Sequence, residues 1–170
     1  KSTTDVLVNG SSTNFANIDY NATYSDEYSD LATCNTLNIT GSKVQIQGSL
    51  NNKLEVYGNL SLSGTGAIDM DDSNNATQDG QIYLYGNWTN SIGNTAFSEG
   101  NGTVIFTGST PQIISNVTPE GTETFHHVIL NNNFNTSDSN DLIANGNLTV
   151  NATRTLTISS NDYVEVQNNI

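Results

Sequence analysis

Short pairs of apolar residues, two positions apart and mostly with a polar residue between them, recur along the chain. Leu60-Ser61-Leu62 is typical. Side chains two positions apart lie on one face of a β-strand, so each pair predicts a short strand with one face toward a core and the other toward water. The residues predicted to face inward are Val44, Leu54, Leu60, Leu62, Ile68, Ile82, Leu84, Val104, Phe106, Val128, Leu130, Leu148, Leu156 and Val164.

The pairs also recur at a regular distance. One series begins at positions 37, 60, 82, 104, 128 and 148, a second at 44, 68, near 88, 113 and 156, and a third near 54, 97, 142 and 164. A period of this length is typical of a solenoid, in which each coil buries its apolar face by stacking on the next coil. We therefore predict an all-β fold, a parallel β-helix (β-solenoid) of about 22 residues per coil with up to three strands in each.

Turn residues agree with this prediction. The tetrapeptides GSLN (48–51), GNLS (58–61), GNWT (86–89) and GNLT (146–149) each place a glycine immediately before a strand. Glycine tolerates the positive φ that tight corners often need. Pro111 and Pro119 are the two prolines of the chain, and both lie in polar surroundings suited to loops.

Residues 1–36 break the period, so we predict an atypical N-terminal capping segment at 1–36 and the solenoid at 37–170. Tyr20, Tyr24, Tyr28 and Leu31 are spaced so that they share one side of a short helix, with Asp19 as its cap. Two interpretations are open: a cover for the first coil, or an aromatic platform for a sugar.

Composition excludes several partners. The net charge is −13, from 17 acidic and four basic residues, so phosphate backbones and anionic lipids would repel the chain. No run of apolar residues approaches the length of a membrane span. We predict neither nucleic-acid binding nor membrane insertion.

The segments GNWT, GNGTVIFTGSTPQIISN, TFHHVILNNN and NGNLTVNATRTLTISS carry a family resemblance. Residues 37–170 resemble the β-helical repeats of large secreted surface proteins and adhesins, common in Bacteroidota and also seen in archaeal envelope proteins. The resemblance implies a right-handed β-helix at the cell surface, and it implies no catalytic residue.

The clearest candidate for a metal site is the acidic run at 67–80, which contains Asp69, Asp71 and Asp72. Closely spaced carboxylate oxygens are ligands that calcium prefers, although Ser73 and Asn74 depart from the EF-hand pattern. A solvated loop is the other interpretation. Calcium is the one cofactor considered.

Cys34 and the pair His126-His127 are the remaining residues with possible chemistry. One cysteine cannot form an internal disulfide, so Cys34 is interpreted as a small buried apolar residue or as a cross-link between subunits. Adjacent histidines on a strand face opposite sides, so we expect them not to share one metal ion.

Catalysis is not predicted. Parallel β-helices include polysaccharide lyases and hydrolases, but a lyase acting on acidic sugars needs a basic cleft, and this chain has few basic residues. A hydrolase needs converging carboxylates, and the only compact set is again the one at 69–72. We expect a protein that is not an enzyme.

Asn-x-Ser/Thr sequons are abundant. There are eleven, where chance at this composition would give about six. Asn38 lies between two apolar residues and is expected to face outward. If the source organism glycosylates asparagine, we predict glycans on Asn9, Asn21, Asn38, Asn59, Asn75, Asn87, Asn101, Asn116, Asn135, Asn147 and Asn151.

The resulting hypothesis is an extracellular, cell-surface structural protein that assembles into a layer, sheath or filament. Strand-like sequence near both ends, VLV at 6–8 and DYVEVQNNI at 162–170, suggests that copies pair end to end or through edge strands. The alternative is an adhesin segment that binds glycans or surfaces. An exposed aromatic patch would favour this alternative, but Tyr57, Tyr83, Tyr85 and Trp88 form only a loose cluster, in which Tyr83 alone is at an expected outward strand position. A polysaccharide-degrading enzyme is the least favoured function.

Overall fold

The computed structural model describes residues 6–8, 15–19, 31–47, 53–70, 80–116, 121–136 and 140–167. Within these ranges the chain forms short strands and one 3-10 turn at Asn94–Ala96. The strands are β1 Val6–Val8, β2 Phe15–Asp19, β3 Leu31–Cys34, β4 Leu37–Ile39, β5 Lys43–Gln47, β6 Lys53–Val56, β7 Leu60–Leu62, β8 Ala67–Asp69, β9 Gln81–Leu84, β10 Trp88–Asn90, β11 Phe97–Ser98, β12 Thr103–Phe106, β13 Gln112–Asn116, β14 Gly121–Phe125, β15 His127–Leu130, β16 Phe134–Thr136, β17 Asn140–Ala144, β18 Leu148–Val150, β19 Leu156–Thr157 and β20 Val164–Val166.

Every third strand joins the same face, and every described pairing is parallel. Sheet 1 has the order β1-β4-β7-β10-β13-β16-β19, and sheet 3 has the order β3-β6-β9-β12-β15-β18. The remaining face contains sheet 2, β2-β5-β8-β11, and sheet 4, β14-β17-β20. The chain is therefore an all-β solenoid whose coils stack as parallel sheets, as the 22-residue period predicts. The right-handed sense stays a prediction.

The core runs along the inside of the coils. Eleven of the fourteen residues predicted to face inward are at most 4% exposed, and Leu148, Leu156 and Val164 are partly buried against the same core. Asn38, between buried neighbours in β4, is exposed, as predicted. Alternation along short strands was thus enough to identify the inward face.

The distance between stacked residues is less uniform than the sequence period indicated. Ala32 pairs with Leu54, 22 positions later, whereas Leu54 pairs with Ile82, 28 positions later. The longer coil contains residues 71–79 between β8 and β9. All three predicted series are therefore wrong at this coil, because Leu60 and Ile82, Ile68 and Trp88, and Leu54 and Phe97 lie on different sheets. Since this coil is about six residues longer than the one before it, a constant step of 22 residues ends one face short.

The described strands of the segment at 1–36 continue the solenoid. β1, β2 and β3 pair in parallel with β4, β5 and β6. Val6 lies opposite Leu37, 31 positions later, which explains why the period is lost in this segment. Leu31 lies in a strand, so the predicted helix is wrong there, while Tyr20, Tyr24 and Tyr28 lie outside the described residues.

A break divides the face that contains sheets 2 and 4. β11 and β14 occupy successive coils on this face but are not paired with each other. The 3-10 turn at Asn94–Ala96, directly before β11, contacts β14 at this break. We call the break between β11 and β14 the seam.

Side-chain amides support the corners of the coils. Asn59 Oδ1 accepts a hydrogen bond from the Asn87 backbone N–H (2.9 Å), and Asn87 Oδ1 accepts one from Ile113 N–H (3.1 Å). A Cβ at Gly86 would overlap the backbone carbonyl of Gly58. The predicted need for positive φ is wrong at Gly58, Gly86 and Gly146, since none of them has a positive φ. The Gly-Asn corners are instead explained by close stacking and by amide oxygens that satisfy backbone donors of the next coil.

Candidate functional site

The coil formed by residues 148–167, which we call the open coil, exposes apolar side chains. Its strands β18, β19 and β20 stand at the edges of sheets 3, 1 and 4, so among the described strands each pairs on one side only. The large apolar side chains that are exposed within the described ranges are Val150 (41%), Ile158 (48%), Tyr163 (46%) and Val166 (49%). All four lie in the open coil, where unpaired backbone groups and apolar surface coincide.

Two tyrosine rings contact each other in a tilted arrangement at the corner between sheets 3 and 1. The ring centroids of Tyr57 and Tyr85 lie 4.8 Å apart, and both side chains are half-buried. Tyr57 donates a hydrogen bond of 2.7 Å to Glu55 Oε2. This bond, together with desolvation and the charge of Glu55, raises the pKa of Tyr57 to about 12. Nearby, the ammonium of Lys53 lies 5.9 Å from the centre of the Tyr83 ring. We call Tyr57, Tyr83 and Tyr85 the tyrosine patch.

Trp88 does not belong to this surface. Its side chain is fully buried and makes edge-to-face contacts with Phe97 (4.9 Å) and Phe125 (5.2 Å). Including Trp88 in a surface aromatic cluster was therefore wrong. As the first residue of β10 it occupies the inward position of that strand.

The two histidines contact each other. His126 lies at the bend between β14 and β15, and its ring packs edge to face on His127 at 4.3 Å. The expectation that they face opposite ways was wrong, because the chain turns a corner between them. His127 Nδ1 accepts a hydrogen bond from Asn147 N–H (3.0 Å). Burial, together with His126, lowers the pKa of His127, which favours the neutral ring.

His127 also borders a shallow cavity of about 160 Å³ on sheet 3, where Thr103, Asn147 and Thr149 provide polar groups. Since Nδ1 of His127 already accepts a hydrogen bond, the neutral ring carries its proton on Nε2 and presents a donor there. Such a lining has hydrogen-bonding capacity.

The predicted calcium ligands are placed only in part. Asp69 ends β8 and forms an ion pair with Lys43 on the adjacent β5 (2.9 Å). Asp71 and Asp72 lie outside the described residues. Within the described ranges, no three His, Cys, Asp or Glu side chains are grouped closely enough to hold a metal ion. Calcium binding by the acidic run stays a prediction.

Cys34 and the sequons occupy contrasting environments. Cys34 is 3% exposed in the core, in agreement with its interpretation as a small buried residue. Of the sequon asparagines, those exposed are Asn38, Asn59, Asn147 and Asn151, and those half-buried are Asn87, Asn101 and Asn135. Asn9, Asn21 and Asn75 lie outside the described residues, as does the side chain of Asn116. Glycosylation stays a prediction.

Sequence reasoning missed a carboxylic acid inside the core. Glu123, in the middle of β14, is 2% exposed. Its Oε2 accepts hydrogen bonds from Trp88 Nε1 (2.7 Å) and Asn90 Nδ2 (2.9 Å). Burial, together with the charge of Glu99, raises the pKa of Glu123 to about 7, against the lowering effect of hydrogen bonding by Asn90, Trp88 and the Thr124 backbone N–H. Among the described residues, its Oε1 is buried without a hydrogen-bond partner.

A signal for Glu123 was present in the segment GTETF at 121–125. Phe125 is the apolar residue of the strand, and residues two and four positions before it share its face. Gly121, Glu123 and Phe125 are all buried, and the threonines between them are half-buried. Strand alternation alone therefore placed the glutamate on the inner face.

No protein-family model, curated protein or solved structure matches this chain. In the described ranges, no helix has the length and apolar character needed to cross a membrane.

Proposed function

We propose that the chain is a non-enzymatic, extracellular structural protein that assembles end to end into a cell-surface layer, sheath or filament. The observation that supports the proposal is the open coil, where, among the described residues, three strands pair on one side only and four large apolar side chains are exposed. The resemblance to β-helical surface proteins supports the extracellular location.

Each end of the described solenoid presents one edge strand on each of the three faces. The opposite edges of sheets 1, 2 and 3 are β1, β2 and β3, while the open coil presents β19, β20 and β18 on the corresponding faces. A second copy stacked on the open coil would continue all three faces as parallel sheets. Such a head-to-tail contact does not close on itself, so it generates filaments.

Electrostatics gives the proposal a salt dependence. Each copy has a net charge of −13, so stacking brings like charges together. Salt screens this repulsion, with a Debye length of about 10 Å at 0.1 M. Assembly is therefore favoured by salt, and by calcium if the acidic run at 67–80 lies near the contact.

Light scattering coupled to size-exclusion chromatography tests the proposal. We expect the average mass to rise above the 18.2 kDa of one chain with increasing concentration and salt. The double variant Val150→Asp/Val166→Asp places charges on the open coil and keeps the chain monomeric. The control Ser91→Asp/Ser109→Asp adds the same charge at exposed positions elsewhere and leaves assembly in place. A wild-type chain that stays monomeric at high concentration and salt refutes end-to-end assembly.

The second candidate function is glycan binding, which the tyrosine patch favours. Aromatic faces next to carboxylate and amide groups suit a sugar ring, which has both apolar and hydroxyl surfaces. The acidic chain favours a neutral sugar over an anionic one. A panel of neutral oligosaccharides, titrated by NMR against wild type and Tyr85→Ala, tests this candidate. If wild type binds an oligosaccharide and Tyr85→Ala does not, the result supports glycan binding at the tyrosine patch. If wild type binds none of the oligosaccharides, glycan binding is refuted as a candidate function.

A further inference from the structure

The seam is held together by side chains rather than by backbone pairing. Phe125 of β14 lies 5.5 Å from Phe97 of β11, measured between ring centroids. At the corner beyond β17, Asn145 Nδ2 donates a hydrogen bond of 3.0 Å to Glu99 Oε1, which follows β11. A break in a parallel sheet removes the ladder that would otherwise fix adjacent coils. The strength of the seam therefore depends on the groups that cross it.

Glu123 is the central member of this set. It extends from β14 across the core to Trp88 and Asn90, which belong to β10 in the preceding coil. Asn90 Nδ2 also donates to the Gly93 carbonyl (2.8 Å), and Asn90 Oδ1 accepts hydrogen bonds from Ile92 and Gly93 N–H (3.1 Å each). These bonds shape the loop that leads into the 3-10 turn at the seam. Glu123 is thus connected to both sides of the seam.

The two protonation states of Glu123 differ in how well the closed seam accommodates them. The ionised carboxylate leaves a charged Oε1 without a donor beside aromatic rings, whereas the protonated acid carries no net charge there. Water reaches Oε1 only if the seam opens. The titratable groups on adjoining elements are Glu99 after β11, Asp141 on β17, which pairs opposite Thr122, and His126 after β14. The charge of Glu99 disfavours a negative charge on Glu123.

We propose that Glu123 is a proton-operated latch for the seam. When protonated, it holds β14 against β10 and the 3-10 turn. When ionised, it opens the seam, so that β14 and the loop at 91–96 separate locally while sheets 1 and 3 keep the coils stacked. This inference concerns the interior of one chain and does not depend on the proposed assembly.

The seam is expected to open as the pH rises. The pKa of Glu123 is about 7 in the closed seam against 4.5 for its ordinary value. The closed form is therefore fully favoured below about pH 4.5, and this preference is lost as the pH rises through about 7. The ratio of open to closed seam then increases on the order of a hundredfold between these limits.

Trp88 reports on the latch directly. It is the single tryptophan of the chain, and its indole N–H is bonded to Glu123. We expect its fluorescence in the 170-residue chain to titrate with a midpoint between pH 4.5 and 7, and to be flat between pH 5 and 9 in Glu123→Gln. The control His126→Gln/His127→Gln removes both histidines of the chain and keeps the transition. A flat wild-type curve, or the same curve in Glu123→Gln, overturns the proposal.

Hydrogen exchange of the wild type provides a second test that does not require the variant to fold. After correction for intrinsic exchange, protection of residues 121–125 and 94–98 is expected to fall by about a hundredfold between pH 5 and pH 9. Protection of β12, which pairs on both sides, is expected to stay constant. Equal loss of protection in β12 and β14 would indicate global unfolding and contradict a local latch.

Discussion

At the scale of single residues, the interior of this solenoid contains polar side chains of types that are usually found at protein surfaces. Glu123 and Asn90 are both buried, and the Asn90 side chain donates a hydrogen bond to the Glu123 carboxylate. A buried polar group is tolerated when its hydrogen-bonding capacity is met, and it is costly when part of that capacity is unmet. Asn90 is well satisfied by the loop that follows it, whereas Glu123 has one oxygen without a donor.

We expect stability to depend on pH through Glu123. Because the folded-state pKa of about 7 lies above the ordinary value of 4.5, the contribution is complete below pH 4.5 and is lost as pH rises through 7. The corresponding decrease in the free energy of unfolding is about 3 kcal/mol. Urea unfolding at pH 4.5, 7 and 9 gives the free energy of unfolding of wild type and of Glu123→Gln at each pH. The difference between the two proteins measures the contribution of Glu123. A difference that does not vary with pH would contradict the expectation.

Gly86→Ala is expected to lower the free energy of unfolding by about 2 to 3 kcal/mol, because the added Cβ overlaps the Gly58 backbone in the neighbouring coil. The exposed substitution Ser91→Ala, five residues later, should change stability by less than about 0.5 kcal/mol. Thermal unfolding of both variants measures the comparison. Equal midpoints would show that the corners do not need close backbone contact.

At the scale of elements, strands are too short to be stable alone and are fixed by the strands on either side. β12 pairs with β9 and β15 in parallel, and all four of its side chains are buried. Strands of the open coil have neighbours on one side only among the described residues. A substitution in the middle of the stack therefore affects two interfaces, and one in the open coil affects one.

Val104→Asp tests this difference. Val104 is 1% exposed in β12, so a carboxylate there is buried without a partner, and we expect a loss of at least about 4 kcal/mol. That loss approaches the whole stability of an ordinary domain. Thr149→Asp in β18 introduces the same group at an exposed position and should fold normally. Circular dichroism with chemical unfolding measures both variants, and a cooperative, wild-type-like transition in Val104→Asp would contradict the expectation.

At the scale of the whole molecule, the exposed surface is acidic and rich in asparagine. The eleven sequons are partly explained by structure, because Asn59 and Asn87 support corners through their amide oxygens. A glycan is attached to the amide nitrogen and requires access from solvent. The solvent exposure of each sequon asparagine therefore predicts how readily it can be glycosylated.

If the source organism glycosylates asparagine, protein purified from it should exceed 18.2 kDa by several sugar chains. Among the described side chains, peptide mapping should find the exposed Asn38, Asn59, Asn147 and Asn151 occupied more fully than the half-buried Asn87, Asn101 and Asn135. Enzymatic removal of the glycans is the control. A native mass equal to that of the bare chain would remove the glycoprotein prediction and leave the solenoid unaffected.

Alternation and period in the sequence by themselves determined the strand class, the approximate coil length and most of the inward residues. These properties are local, because a strand places every second side chain on the same face regardless of what it packs against. Val104 and Leu130 were predicted to be buried on this basis alone, and both are.

Only the tertiary structure decided which strands pair with each other and which side chains come into contact. The longer coil at 54–82 shifts Leu60 and Ile82 onto different sheets, and the corner at His126 brings two rings together that alternation would separate. The bond from Trp88 to Glu123 joins residues 35 positions apart. Such contacts depend on how many residues each coil needs to close and on where the chain turns. Local periodicity does not contain this information.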